Sequence, residues 1–283
     1  MNTRKKKIAL VIGAGSVKCA AALGLWKVLE KENIHFDMIV GCSGGSLYAA
    51  AMAVGFSLQE CIDNTKKLWN RSITRQRNWP ALASMILPGV FKFGNQFSMM
   101  SDGPMLKGLK SVFGDKTFAD TKTPLYIMAT DFETGDSIAQ CEGQLVDALR
   151  ASIAIPFIWS AWPHGGRLLI DGAASNPLPV DVAIREGADI ILAMGFQSPP
   201  PSRIKSVSRY AFYVNSLITN NLMNANFAFH NAVHHAEILS IFPDFEHSIR
   251  LFDTDQIPYV IDQGEKAMRE QLDYLKRLLE PQA

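Results

Sequence analysis

Three short segments of the 283-residue chain hold residues whose types and spacing could do chemistry. Gly41-Cys42-Ser43-Gly44-Gly45 fits the pattern G-x-S-x-G. Between a strand and a helix, this pattern seats a serine on a sharp turn, and the flanking glycines relieve the crowding. The hydroxyl then projects from the sheet edge as a nucleophile, beside helix amides that favour developing negative charge. The plainer alternative is a glycine-rich turn in which Ser43 merely caps the next helix.

The second segment is Gly13-Ala14-Gly15-Ser16-Val17-Lys18. A phosphate-binding P-loop needs G-x-x-x-x-G-K-[ST], an order this stretch lacks. A dinucleotide fingerprint needs a third glycine where Lys18 stands, and a lysine there would obstruct close helix–strand packing. An oxyanion hole fits better. The backbone amides of Gly15 and Ser16 can point at a carbonyl oxygen that turns negative, with Lys18 adding positive charge nearby.

The third segment is Asp171-Gly172-Ala173, at the end of an expected strand. An aspartate at the carboxyl edge of a parallel sheet lies where open α/β folds bind ligands. Asp-Gly is also a common turn pair, which is its plain structural role. Nucleophile, amide-rich loop and acid together are the parts of a serine acyl-transfer site. A triad would add a histidine after the acid. His230, His234, His235 and His247 are available, but none has strand-end loop chemistry around it, and surface or core roles suit them better.

The elements that must position these residues alternate. Strands are expected at 8–12, 38–40, 125–130, 168–170 and 190–194, with a hairpin partner at 137–140. Helices are expected at 19–32, 46–54, 58–69, 102–113, 145–152 and 180–186. Such alternation implies right-handed crossovers and a largely parallel sheet covered on both faces. Beyond it the tail reads as mostly helical, with one possible strand at 249–252. Between 70 and 100 the periodicity breaks down at Pro80, Pro88, Gly89 and Gly94. The large apolar residues of 79–100 suit either a lid meeting acyl chains or plain core packing.

Composition closes other routes. Hydrophobic residues make up 48% and charged residues 19%, enough for a large packed core. A net charge of +1 gives nucleic-acid binding no support. Cys19, Cys42, Cys61 and Cys141 show neither CxxC pairing nor zinc-ligand spacing, so no metal site is expected. No cofactor is expected either. Arg4-Lys5-Lys6-Lys7 reads as a solvated basic leader with at most a weak attraction to an anionic membrane. The apolar run at 47–56 is well short of the roughly 18 residues a spanning helix needs, so a soluble protein is expected.

Four ordered pieces resemble the bacterial patatin-like phospholipase family. Gly13 to Cys19 is similar to its glycine-rich oxyanion loop with a basic residue, and Gly41 to Gly45 to its elbow. Ala151-Ser152-Ile153-Ala154-Ile155-Pro156 is similar to its A-S-x-x-x-P segment, and Asp171-Gly172-Ala173 to its D-G-[GA] segment. The resemblance runs over about 8–195. It implies a three-layer α/β/α sandwich with a mostly parallel central sheet, formed as a single domain over 1–283 with a mostly helical extension at 196–283. It implies a lipid acyl hydrolase acting on phospholipid or other acyl esters through a Ser43–Asp171 dyad without histidine. Gly15, Ser16 and Lys18 would form the oxyanion loop. The scattered cysteines suggest a reducing compartment, so the expectation is a cytoplasmic protein that can lie peripherally at a membrane. Ala14, Cys19, Cys42 and Gly44 depart from the usual residues. Cys19, where glycine is usual, leaves a second reading open: a catalytically weak regulatory or scaffold protein on the same fold.

Overall fold

The computed structural model describes residues 5–69, 73, 76–85, 90, 94–197, 204, 207–247, 249 and 253–280. Its centre is a mixed sheet. β1 (Ile8–Ile12) lies between β2 (Met38–Cys42) and β7 (Ile190–Met194), and β3 (Leu125–Asp131) and β8 (Glu237–Ile241) extend the sheet outward. These five strands run parallel. β4 (Ser137–Gln140) and β6 (Arg167–Asp171) run antiparallel to β3, and β5 (Trp162–His164) is antiparallel to β6.

The alternation of β1 explains the layers. Ile8, Leu10 and Ile12 enter one core and Ala9 and Val11 the other, because successive side chains leave a strand on opposite faces. β7 divides in the same way, with Ile190, Leu192 and Met194 on the first side and Ile191 and Ala193 on the second. The first face is covered by α1 (Ala21–Lys31), α2 (Gly44–Val54), α3 (Leu58–Leu68), α5 (Gly103–Phe113), α6 (Leu145–Ser152) and α9 (Ile257–Leu279). The second carries α7 (Val180–Arg185) and part of α8 (Val207–Val233). The expected three-layer α/β/α arrangement is present.

Two glycines set the closest helix contact. A Cβ on Gly24 of α1 would stand 1.9 Å from the Ile261 carbonyl oxygen, and one on Gly264 of α9 would stand 2.0 Å from that of Ala21. Only glycine lets these backbones touch, and the contact locks the chain's tail against its beginning.

One detail of the sheet positions everything that follows. β2 pairs with 125–128 of β3, and β6 with 129–131. β4 pairs with 127–130 and overlaps both. A strand has two edges, so β2 and β6 must share one edge of β3, end to end. Cys42 is paired with Met128 and Asp171 with Ala129, the very next residue. The carboxyl ends of β2 and β6 therefore meet head-on.

The sequence reading differs from the structure in the tail and in short elements. β8 lies at Glu237–Ile241, within a stretch read as helical. Of the strand expected at 249–252, Ile249 is in no strand and the other three residues lie outside those described. Within 79–100, α4 (Trp79–Ser84) forms where Asn78 accepts the Ala81 N–H and Pro80 fits the first turn. Among the described residues no helix is long and apolar enough to cross a membrane.

Candidate active site

Ser43 occupies the turn between β2 and α2 at φ 52° and ψ −129°. A non-glycine residue there carries strain of about 1–3 kcal/mol, held only by over-determined surroundings. The surroundings are visible. The Ser43 N–H donates to Ser152 Oγ at 3.0 Å, and its carbonyl accepts from Ser46 Oγ at 2.6 Å and Ser46 N at 3.0 Å. A Cβ on Gly45 would lie 2.4 Å from the Ile12 carbonyl oxygen, and one on Gly41 would lie 2.6 Å from Ser46 Cα. Larger residues at either position would push the turn away from β1 or the helix away from β2. Ser43 sits at the N-cap position of α2, yet its side chain caps nothing there. Its Oγ–H instead donates to Asp171 Oδ2 at 2.7 Å.

Asp171 reaches that hydroxyl because β6 ends where β2 ends. The expectation of a parallel-sheet edge needs correcting: β6 is antiparallel, and its direction is what brings the carboxylate to Ser43. The other oxygen, Oδ1, accepts the Ala173 N–H at 2.9 Å. One carboxylate oxygen thus serves the turn and the other meets the Ser43 hydroxyl. Asp171 is buried. Desolvation pushes its pKa from the usual carboxylate range up to about 7, against the lowering effect of its two hydrogen bonds.

The Gly13–Lys18 stretch leaves β1 alongside the elbow. Gly13 N donates to Met194 O at 2.9 Å and Ala14 N to Pro177 O at 2.8 Å, which fixes the loop between β7 and the segment after Asp171. Ser16 has φ 54° and begins a short 3-10 turn. No described residue accepts the N–H of Gly15 or of Ser16. Ser16 lies close to the elbow: a Cβ on Gly44 would stand 3.0 Å from its nitrogen and 2.8 Å from its oxygen. Lys18 is buried, its ammonium donates to Gln197 O at 2.9 Å, and desolvation lowers its pKa to about 8. It anchors the loop to the chain after β7. Cys19 packs in the core and its thiol donates to Gly13 O at 3.4 Å, with burial holding its pKa well above the ordinary range. It braces the loop's first carbonyl and leaves the two amides in place.

The 151–156 segment has a role that spacing alone did not reveal. Ser152 accepts the Ser43 N–H, and two residues on, the Ala154 carbonyl accepts the Asp171 N–H at 3.0 Å. One short stretch thereby clamps both ends of the Ser43–Asp171 pair. Thr130 adds a third clamp, donating to the Asp171 carbonyl at 3.0 Å. The cleft beside Ser43 is lined by Ser16, Gly44 and the apolar side chains of Leu47, Leu68, Trp69, Met105, Ile153, Ile155 and Trp159. Its volume is about 10 Å³, room for one water.

Among the described residues no histidine hydrogen-bonds to Ser43 or Asp171 or lines the cleft. His230 stacks on His234 along α8 with ring centroids 5.6 Å apart, and His247 bonds Gln256 at 3.0 Å. No group of three or more metal-ligating side chains occurs among the described residues.

Comparison with known proteins gives a consistent picture. A family model described as patatin-like phospholipase matches residues 10–184. The chain is 27% identical over 190 residues to patatin-like phospholipase domain-containing protein 6 of Homo sapiens, covering 66% of this chain and 13% of that protein. It is 26% identical over 214 residues to an uncharacterized NTE family protein of Mycobacterium tuberculosis, covering 75% of this chain and 56% of that protein. The chain thus spans a small part of the first relative and just over half of the second. Among solved structures, VipD from Legionella pneumophila aligns with a TM-score of 0.52 at 12% identity, over 95% of this chain and 67% of that one. At that identity the likeness concerns the fold.

Proposed function

Because the chain belongs to the patatin-like phospholipase family, we propose that it is a lipid acyl hydrolase in which Ser43 is the nucleophile and Asp171 the general base. The observation that carries this is the 2.7 Å hydrogen bond from a strained, buried serine to a buried carboxylate. Without a catalytic use, the arrangement only costs stability, through backbone strain at Ser43 and desolvation at Asp171.

In the first step the Asp171 carboxylate takes the Ser43 proton as Oγ bonds to the ester carbonyl carbon. The carbonyl π pair moves onto its oxygen, where the Gly15 and Ser16 N–H groups are available to receive it. One such donor is worth about 3 kcal/mol in the transition state. The tetrahedral adduct collapses, the bond to the alcohol oxygen breaks, and the proton on Asp171 passes to that alcohol. Water then gives a proton to Asp171 and attacks the acyl carbon. Collapse expels Ser43 Oγ, which takes the proton back as the fatty acid leaves. Asp171 must be ionised at the start. Its pKa of about 7 makes it a far better base than a free carboxylate and ties activity to neutral or higher pH. Lys18 holds the loop and contributes a positive charge below its pKa of about 8.

The apolar cleft walls suit a fatty acyl chain, and the cleft must widen to admit one. That narrowness is the observation favouring the second reading, a regulatory or scaffold protein whose site stays shut. Hydrolysis of p-nitrophenyl butyrate and of phosphatidylcholine vesicles, each with wild type and Ser43→Ala, separates the two. The hydrolase reading expects turnover that disappears in the variant. Equal rates in both proteins would remove it.

A further inference from the structure

The leader and the rim of the cleft are both cationic, but they lie at opposite edges of the sheet. Ser43 follows the carboxyl end of β2, whereas the leader precedes the amino end of β1. Lys5 pairs with Asp37 at 3.7 Å and Lys6 donates to Leu278 O, so both have partners within the protein.

The rim is different in sequence and in surface. Residues 64–101 contain Lys66, Lys67, Arg71, Arg75, Arg77 and Lys92 and no Asp or Glu, whereas the whole chain has 28 basic and 27 acidic residues. The described members of this run lie to one side of the cleft, where Lys67 lines an open hollow with Gln76, Pro104 and Lys107. Lys66 and Lys67 are exposed, directly before Leu68 and Trp69, which line it. Lys107 is exposed two residues after Met105, another lining residue. Asp102, the next acid in sequence, is engaged by Arg150 and Ser160.

Large apolar side chains stand out among these charges. Trp79 is 67% exposed, Met85 56% and Phe157 58%. Two hydrogen-bonded rungs connect the start of the Trp79 helix to Phe157 and so to the site. Asn78 N donates to Met99 O at 3.0 Å, and Met99 N donates to Phe157 O at 2.8 Å. Phe157 sits between the lining residues Ile155 and Trp159 with φ 68°. A positive φ on a bulky residue is costly, and here the backbone accepts it while the ring points into solvent.

We propose that this rim docks the protein on an anionic lipid bilayer, with Trp79, Met85 and Phe157 entering the headgroup–acyl boundary and Lys66, Lys67, Arg77 and Lys107 facing the lipid phosphates. Arg77 lies over the Trp79 ring at 5.9 Å, and exposed aromatics beside arginine and lysine complement such a surface. The placement brings acyl chains to the mouth of the Ser43 cleft. The proposal rests on the hydrolase reading for its purpose but is tested apart from it.

The test uses Ser43→Ala protein, so that lipid stays intact, in co-sedimentation with phosphatidylcholine vesicles with and without about 30 mol% phosphatidylserine. Binding is expected to the anionic vesicles and to fall with added salt. Lys66→Gln/Lys67→Gln/Lys107→Gln should weaken it about 100-fold. Phe157→Gly should weaken it while keeping or raising Tm, because it relieves the positive φ, whereas a residue serving only packing would lower Tm when removed. The same changes on an otherwise wild-type chain should leave p-nitrophenyl butyrate hydrolysis unchanged. Equal binding to both vesicle types, undiminished binding by the lysine variant, or retention on an RNA oligonucleotide in place of vesicles would overturn the docking proposal. Vesicle binding in a protein that hydrolyses no ester would support docking and remove the hydrolase reading.

Discussion

The floor of the cleft and its rim are built on opposite principles. On the floor, Ser43, Ser46, Thr130, Ser152 and Asp171 each have a named partner, and the backbone approaches too closely to admit a Cβ at Gly41 or Gly45. At the rim, Trp79, Met85 and Phe157 leave more than half their surface in solvent among unburied cations. The contrast teaches that geometry is specified where bonds would be made and broken, while the surroundings are specified only by charge and apolarity. Changes to the floor should alter chemistry on every ester, and changes to the rim should alter only what happens at a lipid surface.

The largest expected effect is at Ser43. Ser43→Ala should cut kcat/KM on a soluble ester by about 10⁴-fold or more, down to what the remaining groups supply. Asp171→Asn should cost about 10³-fold in kcat, while its Tm at pH 8 rises, because an amide escapes the desolvation that the carboxylate suffers. The pH dependence follows from the same group. Its folded pKa of about 7 lies above the ordinary aspartate value of 3.8. The folded state therefore holds the proton that the unfolded state has lost, and Asp171's contribution to stability falls as pH rises between those values. Activity runs the other way, so the pH–rate profile of kcat/KM should show an acid limb near pH 7. A limb near pH 4 would contradict the burial assigned to Asp171.

Smaller effects sharpen the boundary between the regions. Ser152→Ala removes the acceptor for the Ser43 N–H and should lower kcat about 10-fold with little change in KM, since it disturbs the turn and not the cleft walls. Ser152→Thr, which keeps the hydroxyl, should recover most of the loss.

The Ser43 turn, the Gly13–Lys18 loop and the strand-end placement of Asp171 were legible in the sequence because steric demands leave local marks: glycines at fixed offsets and turn residues at strand ends. The periodicity of β1, β2, β3 and β7 was legible for the same reason, each being a short apolar run bounded by turn signals. Strand direction was not, since an apolar stretch reads alike in either sense, and the antiparallel course of β6 follows only from its pairing with β3. The role of Ser152 was hidden because its partner is 109 residues away. β8 was missed because Glu-Ile-Leu-Ser-Ile suits a helix as well as a strand, and its pairing with β7 decides the matter. β5 is three residues with a proline, an edge strand too short to leave a pattern.

Covalent labelling with a fluorophosphonate, followed by mass mapping of the adduct, tests the Ser43–Asp171 pair most directly. The adduct should fall on Ser43 alone, form more slowly in Asp171→Asn, and be absent in Ser43→Ala. An adduct on another residue, or undiminished labelling of Ser43→Ala, would contradict the assignment of Ser43 as the nucleophile.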